Sequence, residues 1–150
     1  LPSDIREALI ASRDSDIGLL YGRQWTFAQA DMDYHTIPGS HNLTKEYQTL
    51  YREMLDVNES TELGDIIGTV GHLAGGYDAG YYSYLWSKIY ALNIFSRFRE
   101  DGVTNTSTGA EYRRWILEPG NMQDGMALLE GFLGRQPGPE EFFRRLSARE

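Results

Sequence analysis

The sequence predicts an all-α protein. Apolar side chains recur at i, i+3, i+4 and i+7 in several segments, capping residues stand ahead of those segments, and proline or glycine follows them. Ser3 and Asp4 precede Ile5, Ala8 and Leu9, with Glu7 in the first turn, so a first helix runs to about Arg13. Asp14, Ser15 and Asp16 then offer a second cap. Ile17, Leu20, Tyr21, Gln24, Trp25, Ala28, Asp31 and Met32 trace a mostly apolar stripe that Ile37-Pro38-Gly39-Ser40 stops near Thr36. Leu43-Thr44 opens a third helix whose face is Tyr47, Leu50, Tyr51, Met54 and Leu55.

From Val57 to Gly76 the period is lost, and Gly64, Gly68, Gly71, Gly75 and Gly76 mark a long loop. A helix over Asp78 to Arg99 follows. Tyr81, Tyr82, Trp86, Ile89, Leu92, Phe95 and Phe98 place apolar groups on nearly every side of it, which predicts burial on most of its circumference. Asp101-Gly102 ends it. Three shorter helices are expected near Ser107 to Leu117, Met122 to Phe132 and Pro139 to Ser147, separated by Pro119-Gly120 and Pro137-Gly138. Residues 1–150 read as a single helical domain without internal repeats.

With 150 residues, 41% hydrophobic and 13% aromatic, the chain can bury a core. The net charge of -8 and the scattered arginines argue against nucleic acid and anionic membrane surfaces as partners, since both need clustered cations. No apolar run approaches a membrane span, and Leu1-Pro2-Ser3-Asp4 is no signal peptide, so a soluble protein is expected. The absence of cysteine removes disulfides and thiolate-ligated metals. Leu1 in place of an initiator Met, opening directly into a helix start, reads as a piece of something longer.

Metal chemistry has no motif here. The histidines are His35, His41 and His72; none is followed by Glu, and no two stand at the i, i+4 spacing of a helical zinc site. No nucleophile elbow, phosphate-binding loop or dinucleotide turn is present either. The informative stretch is Gly71-His72-Leu73-Ala74-Gly75-Gly76-Tyr77-Asp78-Ala79-Gly80-Tyr81-Tyr82-Ser83-Tyr84-Leu85-Trp86-Ser87. Its glycines permit tight turns and close backbone approach to a ligand, and Asp78 reads as the cap of the following helix. Tyr77, Tyr81 and Tyr84 would share one helical face, so that two phenol hydroxyls converge near His72, as donors to a developing oxyanion must. The same tyrosines also fit a packed core with satisfied hydroxyls, and composition does not choose between these readings. His35 and His41 read as surface or capping residues.

That stretch resembles the signature of the thimet-type zinc oligopeptidases, peptidase family M3. The likeness continues through Tyr84-Leu85-Trp86-Ser87, Tyr112-Arg113, Ile116-Leu117-Glu118-Pro119-Gly120 and Phe132-Leu133-Gly134-Arg135-Gln136-Pro137. Upstream, Gly18-Leu19-Leu20, Arg23-Gln24 and His35-Thr36 are similar too. Lys88, Asn93 and Asn121-Met122 depart from the usual pattern, which has acidic residues at the first two places and Gly-Ser at the third.

The resemblance implies the helical C-terminal portion of a thimet oligopeptidase-like (neurolysin-like) metallopeptidase fold. The family's zinc ligands and general base would lie upstream, so zinc belongs to the parent enzyme and none is expected at a catalytic site in this chain alone. Tyr81, Tyr84 and His72 would be catalytic, stabilising the tetrahedral intermediate and binding substrate, with Tyr77 and the flexible Gly75-Gly76 loop contacting peptide. Short peptides and the upstream half of the same enzyme are the implied partners, and the implied compartment is the cytoplasm; a folded piece of a longer enzyme would also expose an apolar docking face, which favours self-association. Two other classes remain: a peptide-binding module that does not cut, and a helical scaffold in which the tyrosines only pack.

Overall fold

The computed structural model describes residues 1–147. Its helices are α1 (Ser3–Ser12), α2 (Ile17–Thr36), α3 (Leu43–Leu55), α4 (Ser83–Asp101), α5 (Thr106–Tyr112), α6 (Gly125–Leu133) and α7 (Glu140–Ser147). No strand occurs among the described residues. The described residues divide into two compact units, 1–85 and 86–147.

In the first unit α1 buries nothing, and Ile5, Leu9 and Ile10 are exposed along it. α2 and α3 carry the core. Phe27, Ala28, Ala30 and Tyr47 are buried together with Ile67 and Tyr81, and Leu50, Tyr51, Val70 and Leu73 pack around them. Phe27 stacks on Tyr47 with ring centroids 5.3 Å apart and meets Tyr81 at 5.5 Å. Burial pushes the Tyr47 phenol up to about 12, against the opposing charge of Arg23.

The α2–α3 corner is closed by local polar chemistry. Asn42 Oδ1 accepts from the Lys45 amide, while Glu46 reaches back to accept from the Asn42 amide, each at 3.0 Å, so two orphan donors of the helix start are satisfied reciprocally. His41 bridges the corner, with Nε2 2.8 Å from the Ile37 carbonyl and Nδ1 2.9 Å from Glu46. Those partners, the Ile37 carbonyl first, raise the imidazole pKa. After α3, the irregular stretch contains two short 3-10 turns, Ile67–Thr69 and Gly71–Ala74.

α4 departs from its sequence expectation in two ways. It begins at Ser83 rather than Asp78, because residues 77–82 form consecutive turns and Ala79 adopts a left-handed φ of 54° that no helix admits. It is also far from buried all round: within it only Asn93 and Ser96 are buried, and Tyr84, Trp86 and Phe95 are exposed.

In the second unit Leu128, Leu129 and Phe132 of α6 are buried, and the Phe98, Tyr112 and Phe132 rings meet at 5.7 to 6.1 Å. Arg97 lies over the Phe132 ring and pairs with Glu111. Asn93, fully buried, donates to the carbonyls of Ile89 and Gly138 and accepts from Arg135. A buried amide satisfied on both its oxygen and its nitrogen costs little. The expected helix over Ser107 to Leu117 is α5 continued by a π turn, Arg113–Leu117, in which the Glu118 amide donates to the Arg113 carbonyl at 2.9 Å.

Asn42→Ala removes the α3 cap and should lower the unfolding free energy, measured by urea denaturation, by about 1 kcal/mol. For His41 the raised folded pKa means that its stabilising contribution is complete below the unfolded value of about 6.5 and fades as pH climbs through the folded one. Its NMR titration midpoint should therefore lie above that of a free imidazole and drop in Glu46→Gln.

Candidate functional site

The loop glycines decide the shape of the site before any side chain does. A Cβ at Gly75 would stand 2.5 Å from the Gly71 carbonyl oxygen, and Gly76 has φ of 97°, a conformation that L side chains rarely adopt. The chain can therefore fold back tightly after the Gly71–Ala74 turn and bring His72 against the tyrosines that follow. His72 lies 5.6 Å from Tyr77, 5.8 Å from Tyr81 and 5.9 Å from Tyr84, ring centroid to ring centroid, in edge-on contacts. Tyr77 stacks on Tyr84 at 5.2 Å, and Tyr81 meets Tyr84 at 5.0 Å.

Thus the residues singled out in the sequence converge, but not by the route their spacing predicts. Only Tyr84 is on α4; Tyr77 and Tyr81 sit in the turns ahead of it, and Asp78 is not its cap. The environments differ as well. Tyr77 is 41% exposed and Tyr84 39%, and His72 is also open to solvent, whereas Tyr81 is 7% exposed and its hydroxyl donates to Gln24 Oε1 at 3.2 Å. Burial raises the Tyr81 pKa, and the Tyr77 hydroxyl followed by desolvation raises that of Tyr84. Both phenols consequently keep their protons at neutral pH and remain donors.

A carboxylate on α2 reaches the same turns. Asp31 is fully buried; its Oδ1 accepts from the Ala79 amide at 3.1 Å and its Oδ2 from the Tyr81 amide at 2.9 Å. His35 Nδ1 stands 3.1 Å from Oδ1 and 2.7 Å from the Asp31 carbonyl. The left-handed Ala79 costs roughly 1–2 kcal/mol. Hydrogen bonds to a charged acceptor contribute about 1.5–3 kcal/mol each, so the pair outweighs the strain.

A family model described as Peptidase family M3 matches residues 1–148. The chain belongs to peptidase family M3. Among curated M3 relatives, the thimet-like oligopeptidase of Dictyostelium discoideum is 34% identical over 97% of this chain and 22% of its own length. Oligopeptidase A of Escherichia coli is 34% identical over 91% of this chain and 21% of its own length. Saccharolysin of Saccharomyces cerevisiae is 29% identical over 97% and 21% respectively. The chain therefore spans about a fifth of the length of the M3 relatives it matches.

Peptidases of the M3 family are zinc-dependent, and the described residues bring no ligand set for that ion together. Among the described residues no three His, Cys, Asp or Glu side chains gather at one point. His35 and His41 each approach one carboxylate, Asp31 and Glu46, and both are engaged in the hydrogen bonds already given. No helix of the described residues is long and apolar enough to cross a membrane.

The sequence offered Gln24 and Asp31 only as members of the α2 stripe. Their relation to Tyr81 joins positions 57 and 50 residues apart, which no local pattern encodes. An acidic residue inside a mostly apolar helix face is the available signal, since such a charge needs a partner.

Gly75→Ala should open the turn that carries His72. The expected result is weaker contact between His72 and the Tyr77 and Tyr84 rings, read as loss of nuclear Overhauser effects between them, with α3 unaffected.

Proposed function

We propose that this chain is the part of an M3 oligopeptidase that grips short peptides and donates hydrogen bonds to the oxyanion formed on the scissile carbonyl. Zinc and the general base would belong to other residues of a longer polypeptide. The observation that carries this reading is the convergence of one imidazole and two protonated phenols: the Tyr81 and Tyr84 rings lie 5.0 Å apart, and His72 is within 6 Å of both. Donors fixed before reaction stabilise charge that appears only in the transition state, which is why they accelerate rather than merely bind.

On this reading each residue has a task. His72 and Tyr84, exposed on the site, reach the carbonyl oxygen or the substrate backbone directly. Tyr81 donates to the same oxygen when substrate displaces Gln24 from its hydroxyl. Tyr77 lies beside the peptide, and Gly75-Gly76 let the loop backbone follow it. The partners are short peptides and the remainder of the polypeptide. The exposed apolar surface of α4, with Trp86 54% and Phe95 48% accessible, is available to that remainder or to a second copy of this chain. A cytoplasmic location is in keeping with this reading.

One observation favours a second reading, a helical scaffold: Tyr81 is nearly buried and its hydroxyl already has a partner. Tyr81→Phe in the full-length polypeptide separates the two. Loss of an oxyanion donor lowers kcat on the order of a hundredfold, whereas a packing tyrosine leaves turnover nearly unchanged. The isolated chain should show no chelator-sensitive peptide cleavage, and such cleavage by the pure chain would refute the proposed division of residues.

A further inference from the structure

The mechanism above uses Tyr81 but not the buried acid behind it. A carboxylate with no exposed surface is unfavourable unless its oxygens are fully hydrogen-bonded. Asp31 meets that demand with main-chain amides of the turn that carries the tyrosines. The two oxygens are used separately, Oδ1 for Ala79 and Oδ2 for Tyr81. On the same face of α2, two turns before Asp31, Gln24 takes the hydroxyl at the other end of the Tyr81 side chain. Phe27, lying between them along the helix, meets the ring itself at 5.5 Å. Tyr81 is therefore held at its backbone, its ring and its hydroxyl by one helix face, and only the backbone contact involves a charge.

We propose that Asp31 is the positioning residue for Tyr81, fixing the turn at 79–81 so that the phenol stands beside Tyr84 and His72. His35, one turn along α2, supports it, with Nδ1 placed to share a proton between the Asp31 carboxylate and carbonyl. The catalytic consequence of this anchoring rests on the peptidase reading; the anchoring itself does not. Its specificity is chemical. Aspartate offers two acceptor oxygens to two incoming N–H groups, whereas asparagine of the same shape offers one and turns a donor toward the other.

Amide hydrogen exchange of the full 150-residue chain, resolved by NMR, tests this directly. In the unaltered chain the Ala79 and Tyr81 amides should be protected although they precede α4 and have no helical partner. Exchange at both as fast as in an exposed turn would overturn the proposal without any variant having to fold. In Asp31→Asn, exchange at one or both should quicken at least tenfold while α3 and α6 amides stay within twofold. The Tyr81 ring, followed by its carbon chemical shift, should then titrate at a lower pH as burial is lost. Unchanged exchange at both amides, or an equal rise throughout α3, would mean that Asp31 only fills space.

Turnover of the full-length polypeptide supplies the second arm. If Asp31→Asn loosens the two amides while Tyr81→Phe leaves kcat unchanged, the anchor stands and the oxyanion role of Tyr81 falls. If Tyr81→Phe lowers kcat while Asp31→Asn loosens nothing, the anchor falls and the peptidase reading stands.

Discussion

A charge that cannot reach water must be surrounded by donors, and Asp31 imposes that requirement on the first unit. Its carboxylate has no exposed surface, so the chain has to bring hydrogen-bond donors to it from elsewhere. Besides His35, the donors are main-chain amides of residues 79 and 81, which belong to the turns over 77–82 that include the left-handed Ala79 and precede the start of α4 at Ser83. The position of Tyr81, and through it the approach of Tyr84 and His72, follows from the same contact. Apolar packing of Phe27, Tyr47 and Ile67 supplies area but little direction, because the hydrophobic effect is not oriented.

The tyrosine cluster combines two kinds of environment. Tyr81 is in the core and its hydroxyl has a partner; Tyr77, Tyr84 and His72 stand at the surface around it. A buried ring keeps one conformation, and its neighbours lean on it, so exposed side chains gain order from a residue that solvent scarcely touches. The glycines make this geometry possible on the other flank, since a side chain at position 75 would meet the carbonyl of Gly71. In the second unit the same economy appears in neutral form, with Asn93 satisfied by two carbonyls and Arg135 where a carboxylate would have added charge.

Helical period made α2 and α3 legible almost to the residue, because an amphipathic face, the Asp14-Ser15-Asp16 cap and the Pro38-Gly39 stop are local features. The start of α4 was not, because Asp78 has the composition of a cap while it lies in a turn closed locally by the Gly80 amide on the Tyr77 carbonyl and met from outside the local sequence by Asp31. The breadth of the apolar surface on α4 likewise predicts burial. Trp86 and Phe95 are exposed instead, since periodicity reports how apolar a face is and not whether anything covers it. Among the candidate residues, types and clustering point to His72, Tyr77, Tyr81 and Tyr84, and backbone freedom to Gly75 and Gly76. Their union in space arises from turns, not from the single helix face that spacing suggests.

By itself the sequence determined an all-α chain, its M3 kinship and the group of residues around His72, because periodicity, caps and a long run of matching residues are all written locally. Only the tertiary structure decided which tyrosine is buried, which carboxylate holds it and where α4 begins. Those depend on a contact between α2 and residues 79–81, segments far apart in the chain. A hydrogen bond between distant segments leaves no periodic trace in either one, so folding alone reveals it.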